Sequence, residues 1–143
     1  MRPGVQEIAP GLYQAAFADA VAWTDAPLHV DVAVIMCGGA LPSLKTQIEL
    51  TIDDNANGCP VLPLVQDVAS LVAHQRVLSV CHVGENRSGL LSALILIKRG
   101  LTPQAAITLV QTRGPHNSPT QPHSFWNSGF VRQVAALPSS QDA

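Results

Sequence analysis

Val80-Cys81-His82-Val83-Gly84-Glu85-Asn86-Arg87-Ser88-Gly89 separates two apolar stretches of different character. Before it, residues 76–80 form a short, mainly apolar run of strand length, and Gly84 interrupts that run. After it, residues 88–98 carry Leu90, Leu91, Leu94, Ile95 and Ile97 with almost no polar face, which predicts a helix buried at the centre of a domain. The ten residues are therefore a loop between a strand and the N-terminus of a buried helix. Such a helix start presents unpaired backbone N–H groups and the positive end of the macrodipole, a ready anion site. Cys81 opens the loop and Arg87 closes it six positions later. If the backbone of His82, Val83, Gly84, Glu85 and Asn86 curls round one centre, its amides face one phosphoryl group, and Arg87 adds a two-pronged guanidinium contact. The same field favours thiolate over thiol at Cys81.

The flanking sequence supplies a domain for this loop. Residues 8–13 contain a Pro-Gly turn feeding a short strand, and 18–24 suit a short helix. Residues 29–36 (HVDVAVIM) are a β-branched run that stops at Gly38-Gly39 and predict a buried strand. Residues 46–52 alternate weakly and end at the turn Asp53-Asp54-Asn55, and 64–74 place Leu64, Val65, Val68, Leu71 and Val72 at helical spacing. Thr102 caps a helix with Pro103 at its first position, Gly114-Pro115 stops it, and a last helix is expected over 124–136. Strands alternating with helices predict one α/β domain over 1–136 with a mostly parallel sheet flanked by helices, followed by a loose tail at 137–143.

Composition excludes several classes of function. The chain has 143 residues, 47% hydrophobic and 13% charged, which is globular rather than disordered. A net charge of −2 leaves no basic field for long nucleic acid and no polybasic membrane signal. Residues 1–7 contain no apolar segment of signal-peptide type, and the apolar run near 90–97 is far shorter than the roughly 20 residues of a membrane span. Cys37, Cys59 and Cys81 show neither disulfide-framework nor zinc-ligand spacing, so no metal or cofactor is expected and a reducing cytoplasm suits the free thiols. Gly84 and Gly89 have the spacing of a nucleotide-binding loop, but Leu90 and Leu91 follow where Lys and Ser/Thr are needed.

The order Cys81, Gly84, Arg87, Ser88, Gly89 resembles the active loop of the cysteine-based protein phosphatases, most closely the HCxxGxxRSG loop of their small dual-specificity branch. The likeness extends to Ile8-Ala9-Pro10-Gly11-Leu12-Tyr13, to the run 30–37, and to Arg113-Gly114-Pro115. It implies hydrolysis of phosphotyrosine, and of phosphoserine or phosphothreonine, in a phosphorylated protein or peptide. In that mechanism Cys81 is the nucleophile, Arg87 holds the phosphoryl oxygens, and Ser88 donates to the Cys81 sulfur. The family's acid is an aspartate some thirty residues upstream. Asp53 and Asp54 lie 28 and 27 positions before Cys81. The pattern Ile52-Asp53-Asp54-Asn55 selects Asp54, with Asp53 as the alternative.

One letter departs from the family: Val80 stands where a histidine normally precedes the cysteine. That departure favours a second reading, a weakly catalytic or inactive relative that binds phosphorylated protein. Glu85 brings negative charge into the loop and no lysine lies between Cys81 and Arg87, which disfavours polyphosphorylated inositols and RNA 5′-triphosphates. Aromatic residues at 4% argue for a shallow site rather than a deep one walled by rings. Cys37 ends a strand expected beside that of Cys81, where some relatives carry a thiol that pairs reversibly with the nucleophile, although a buried structural cysteine is the favoured reading. His116 and Asn117 are loop residues expected near the site, where Asn117 would orient substrate or water. A sulfur transferase of similar loop is disfavoured by the upstream aspartate and the Arg-Ser-Gly ending.

Overall fold

The hairpin β1 (Val5–Ala9) and β2 (Leu12–Ala16) turns at Pro10-Gly11, with Gly11 at φ +74°. A positive φ costs glycine nothing, so the turn needs that residue. The expected strand after the Pro-Gly pair is present, and a second strand precedes it. In the computed structural model, which describes residues 4–139, helix α1 (Phe17–Ala22) and a 3₁₀ turn (Ala26–Leu28) follow. Then come β3 (Val32–Ile35), β4 (Gln47–Glu49), α2 (Leu62–Val72), β5 (Val77–Cys81), α3 (Arg87–Lys98), α4 (Pro103–Arg113) and α5 (Ser128–Ala135). The sheet order is β1-β2-β5-β3-β4, antiparallel only at the β1–β2 edge. The fold is the expected α/β domain with a mostly parallel sheet.

Alternation along the strands divides the core. Leu12, Val32, Val34, Met36, Val77 and Cys81 face α2–α5. Tyr13, Ala15, Ala33, Ile35, Leu78 and Val80 face the other way, packing with Ala20 of α1 and with Trp23, Ala26 and Val30. β5 is the hub, buried along its whole length between β2 and β3. Strands covered on both faces read as continuous apolar runs, which is why 77–80 lacks a polar alternation. α3 is buried from Ser88 to Ile97, the environment its uniformly apolar sequence demands.

Some expectations are adjusted. α5 starts at Ser128 rather than 124, because Asn127 takes the cap and its Oδ1 accepts the Phe130 N–H at 3.1 Å. Phe125, at φ +50°, belongs to the preceding loop. Leu64 and Leu71 of α2 lie 48% and 68% exposed, so only part of that helical stripe is core. At Leu137, where a loose tail is expected to begin, the N–H donates to Val134 O and the side chain packs on the core. Residues 140–143 of that tail, and 1–3 of the stretch read for a targeting signal, lie outside the described residues. The Thr102 cap is present, its hydroxyl accepting the Ala105 N–H at 3.2 Å. No helix among the described residues is long and apolar enough to cross a membrane.

Candidate active site

Cys81 is the last residue of β5, and Arg87 the first of α3, so the loop between them spans the carboxyl end of the central strand and the amino end of the central helix. No side chain caps α3. The Cys81 sulfur is 2% exposed as a residue and accepts the Gly84 N–H at 3.3 Å. Its second neighbour is the Ser88 hydroxyl at 3.2 Å. The Gly84 amide donates to the sulfur, and the Cys81 S–H donates to the Ser88 oxygen.

Gly84 makes this curl possible. Its φ is +85°, and a β-carbon there would stand 2.3 Å from the backbone nitrogen of Ala16. The loop therefore lies against β2, where Gln14 Nε2 donates to Gly84 O at 2.9 Å. From β5, Ser79 Oγ donates to Ser88 O at 2.9 Å. Val80 points to the opposite face, into the apolar cluster with Ala15 and Ile35. Gln14 and Ser79 brace the loop from the α3 face instead, and both are fully buried. Their signal in the sequence is a polar residue inside an apolar strand, which sequence reading passed over.

The Glu85 side chain does not reach into the loop. It is 1% exposed and turned toward residues 117–126. There it accepts the backbone N–H groups of Asn117 at 3.1 Å and Ser118 at 3.4 Å, the Ser118 hydroxyl, and the Trp126 indole at 3.3 Å. The carboxyl group is thus turned away from the centre of the loop and does not line it. Asn117 Nδ2 donates to Val83 O at 2.9 Å, and this residue supports the loop backbone. His116 contacts Gln121 O at 2.6 Å. His82 and Val83 are exposed, and the His82 carbonyl accepts the Phe17 N–H at 3.4 Å.

Arg87 Nη1 donates to Ile52 O at 3.1 Å, and its Nε is buried without a partner. A buried, unpaired guanidinium N–H is costly unless an acceptor completes it. Asp54 stands on the adjoining segment. Its Oδ2 accepts Asn86 Nδ2 at 3.1 Å and its Oδ1 accepts Asn127 Nδ2 at 2.6 Å. The structure thus ties Asp54 to the loop by two side-chain hydrogen bonds, although Asp53 and Asp54 are both exposed. Sequence reading did not single out Asn127, 41 residues past Asn86, because a lone asparagine before a helix looks like an ordinary cap.

Cys37 follows β3, whose extension pairs Met36 N–H to Val80 O at 2.7 Å. Burial pushes its thiol above the ordinary cysteine range. The Cys81 charge pushes the same way and the Arg87 guanidinium opposes it. Burial also raises the Cys59 thiol, which lies in the core under α2 and α5. All three cysteines are free. Among the described residues, no group of three or more His, Cys, Asp or Glu is placed to hold a metal ion.

No protein-family model matches the chain. No curated protein sequence matches it. Solved structures do. Human DUSP28 superposes with a TM-score of 0.70 at 20% identity, over 94% of this chain and 92% of that one. DUSP15 gives 0.69 at 17% identity over 94% and 86%. A human tyrosine phosphatase-like serine/threonine/tyrosine-interacting protein gives 0.64 at 22% over 93% and 94%. Strand order, the Cys81–Arg87 loop and these superpositions agree: the chain has the fold of the small dual-specificity and protein-tyrosine phosphatases.

Proposed function

We propose that this protein is a cysteine-dependent phosphatase that hydrolyses phosphate monoesters of tyrosine, and of serine or threonine, in phosphorylated proteins or peptides. The observation that carries this reading is the Cys81 sulfur set against the Gly84 N–H and the Ser88 hydroxyl at the uncapped start of α3. In the first step the Cys81 thiolate attacks phosphorus. The sulfur–phosphorus bond forms as the bond to the ester oxygen breaks, and Asp54 gives that oxygen a proton. Amides of residues 82–87 and the free Arg87 Nε carry the charge on the equatorial oxygens. In the second step water attacks phosphorus, its proton passes to Asp54, and the sulfur leaves as a thiolate, to which the Ser88 hydroxyl, 3.2 Å from it, then donates. Thiolate, amides and guanidinium supply nucleophile and charge stabilisation, so the scheme calls for no metal or cofactor.

Val80 supports a second reading, a phosphate-binding relative without turnover, and one structural neighbour is described as phosphatase-like and interacting. Gln14 and Ser79 weigh against it, because they brace the loop from the side opposite Val80. Release of p-nitrophenol from p-nitrophenyl phosphate near about pH 6 separates the two. The first reading expects turnover by wild type and none by Cys81→Ser. Wild type that binds phosphate without turnover establishes the second.

A further inference from the structure

Asn127 joins three parts of the molecule through every polar group it owns. It is 4% exposed. Its backbone N–H donates to Asn86 Oδ1 at 2.8 Å, its Nδ2 donates to Asp54 Oδ1 at 2.6 Å and to Asn55 O at 3.1 Å, and its Oδ1 caps α5 at Phe130 N. Asn86 Nδ2 closes the ring on Asp54 Oδ2 at 3.1 Å. A helix cap needs only the bond to Phe130. The remaining contacts fix an exposed segment, 53–57, whose own bonds are the local turns at Asn55. Buried amides with all partners satisfied are rigid, whereas an exposed loop is mobile by default.

We propose that Asn127 is a positioning residue that holds the Asp54 carboxyl in register with the Cys81–Arg87 loop, using Asn86 as the second arm. This deepens, and rests on, the phosphatase reading above. The consequence falls on one side of the reaction. An acid displaced by about 1 Å loses roughly 10²-fold in effect. Only esters whose leaving oxygen needs a proton feel that loss.

The test is Asn127→Ser, which keeps an oxygen for the Phe130 N–H but is too short to reach Asp54. For phenyl phosphate, a poor leaving group, kcat/KM should fall by about 30-fold or more, and for p-nitrophenyl phosphate by less than about threefold. Equal losses on both esters overturn the proposal. Hydrogen exchange read by mass spectrometry gives an arm independent of turnover. Peptides covering 51–57 should exchange faster in the variant while those covering β5 do not. Unchanged exchange overturns the proposal whatever the rates show. Wild type that hydrolyses neither ester, with faster exchange in the variant, defeats the phosphatase reading and leaves the positioning of 53–57 standing. Should the serine variant fail to fold, Asn127→Asp keeps the cap and must give the same pattern.

Discussion

Two segments meet where substrate would sit, and they are held in opposite ways. Apart from exposed His82 and Val83 and half-buried Arg87, residues 81–88 are sunk into the domain: Ser88 is 0% exposed, Glu85 1%, Cys81 2% and Asn86 3%. They are braced from β2 by Gln14, from β5 by Ser79, and from residues 117–126 through Glu85. Residues 53–57 lie exposed on the surface and gain their placement from side chains of distant segments, Asn86 and Asn127. The proposed nucleophile and anion cradle are thus part of the core, and the proposed acid is attached to it by a ring of amides. Electrostatic stabilisation gains most from preorganised groups that need not move, and the buried segment is built that way. Proton transfer needs position but also access to a leaving group outside, and the exposed segment provides it.

Substitutions in the two segments should separate accordingly. Cys81→Ser should lower turnover of p-nitrophenyl phosphate by more than about 10³-fold with little change in fold, read by steady-state kinetics and circular dichroism. Arg87→Lys should cost about 10²- to 10³-fold, because an ammonium cannot present the planar fork. Full activity in that variant would take Arg87 out of the cradle. Asp54→Asn should cost about 10² on phenyl phosphate and flatten the basic limb of the pH profile of kcat/KM. If Asp53→Asn does so instead, the exposed neighbour is the acid and Asp54 serves only to tie the segment down.

Glu85→Gln should act mainly on stability. It replaces a buried carboxylate that accepts from Asn117, Ser118 and Trp126, and the loss should be about 1.5–3 kcal/mol in urea unfolding. A loss confined to turnover would mean that Glu85 faces substrate after all.

The same contrast explains what the sequence disclosed. The buried segment was legible because its constraints are local: Cys81, Gly84, Arg87 and the apolar helix follow one another along the chain, and strand and helix periods frame them. Thr102-Pro103 and Pro10-Gly11 were legible for the same reason. The exposed segment was legible only as a turn, Asp53-Asp54-Asn55, whose chemistry is common to many loops. What distinguishes Asp54 from Asp53 is Asn127, 73 positions away, and no spacing rule reaches that far. Glu85 was misread because a charge inside an anion loop looks like part of its lining. Only the fold shows that residues 117–126 claim it. Val80 departs from the family's histidine, and β5 turns it to the α1 face, while Gln14 and Ser79 hold the loop from the other side.

A crystal structure of the protein soaked with tungstate tests the anion cradle most directly. The expected result is one oxyanion whose oxygens accept backbone N–H groups of residues 82–87 and the Arg87 Nε, with the metal centre against the Cys81 sulfur. A cradle left empty at saturating tungstate, or an anion bound only elsewhere, would contradict it.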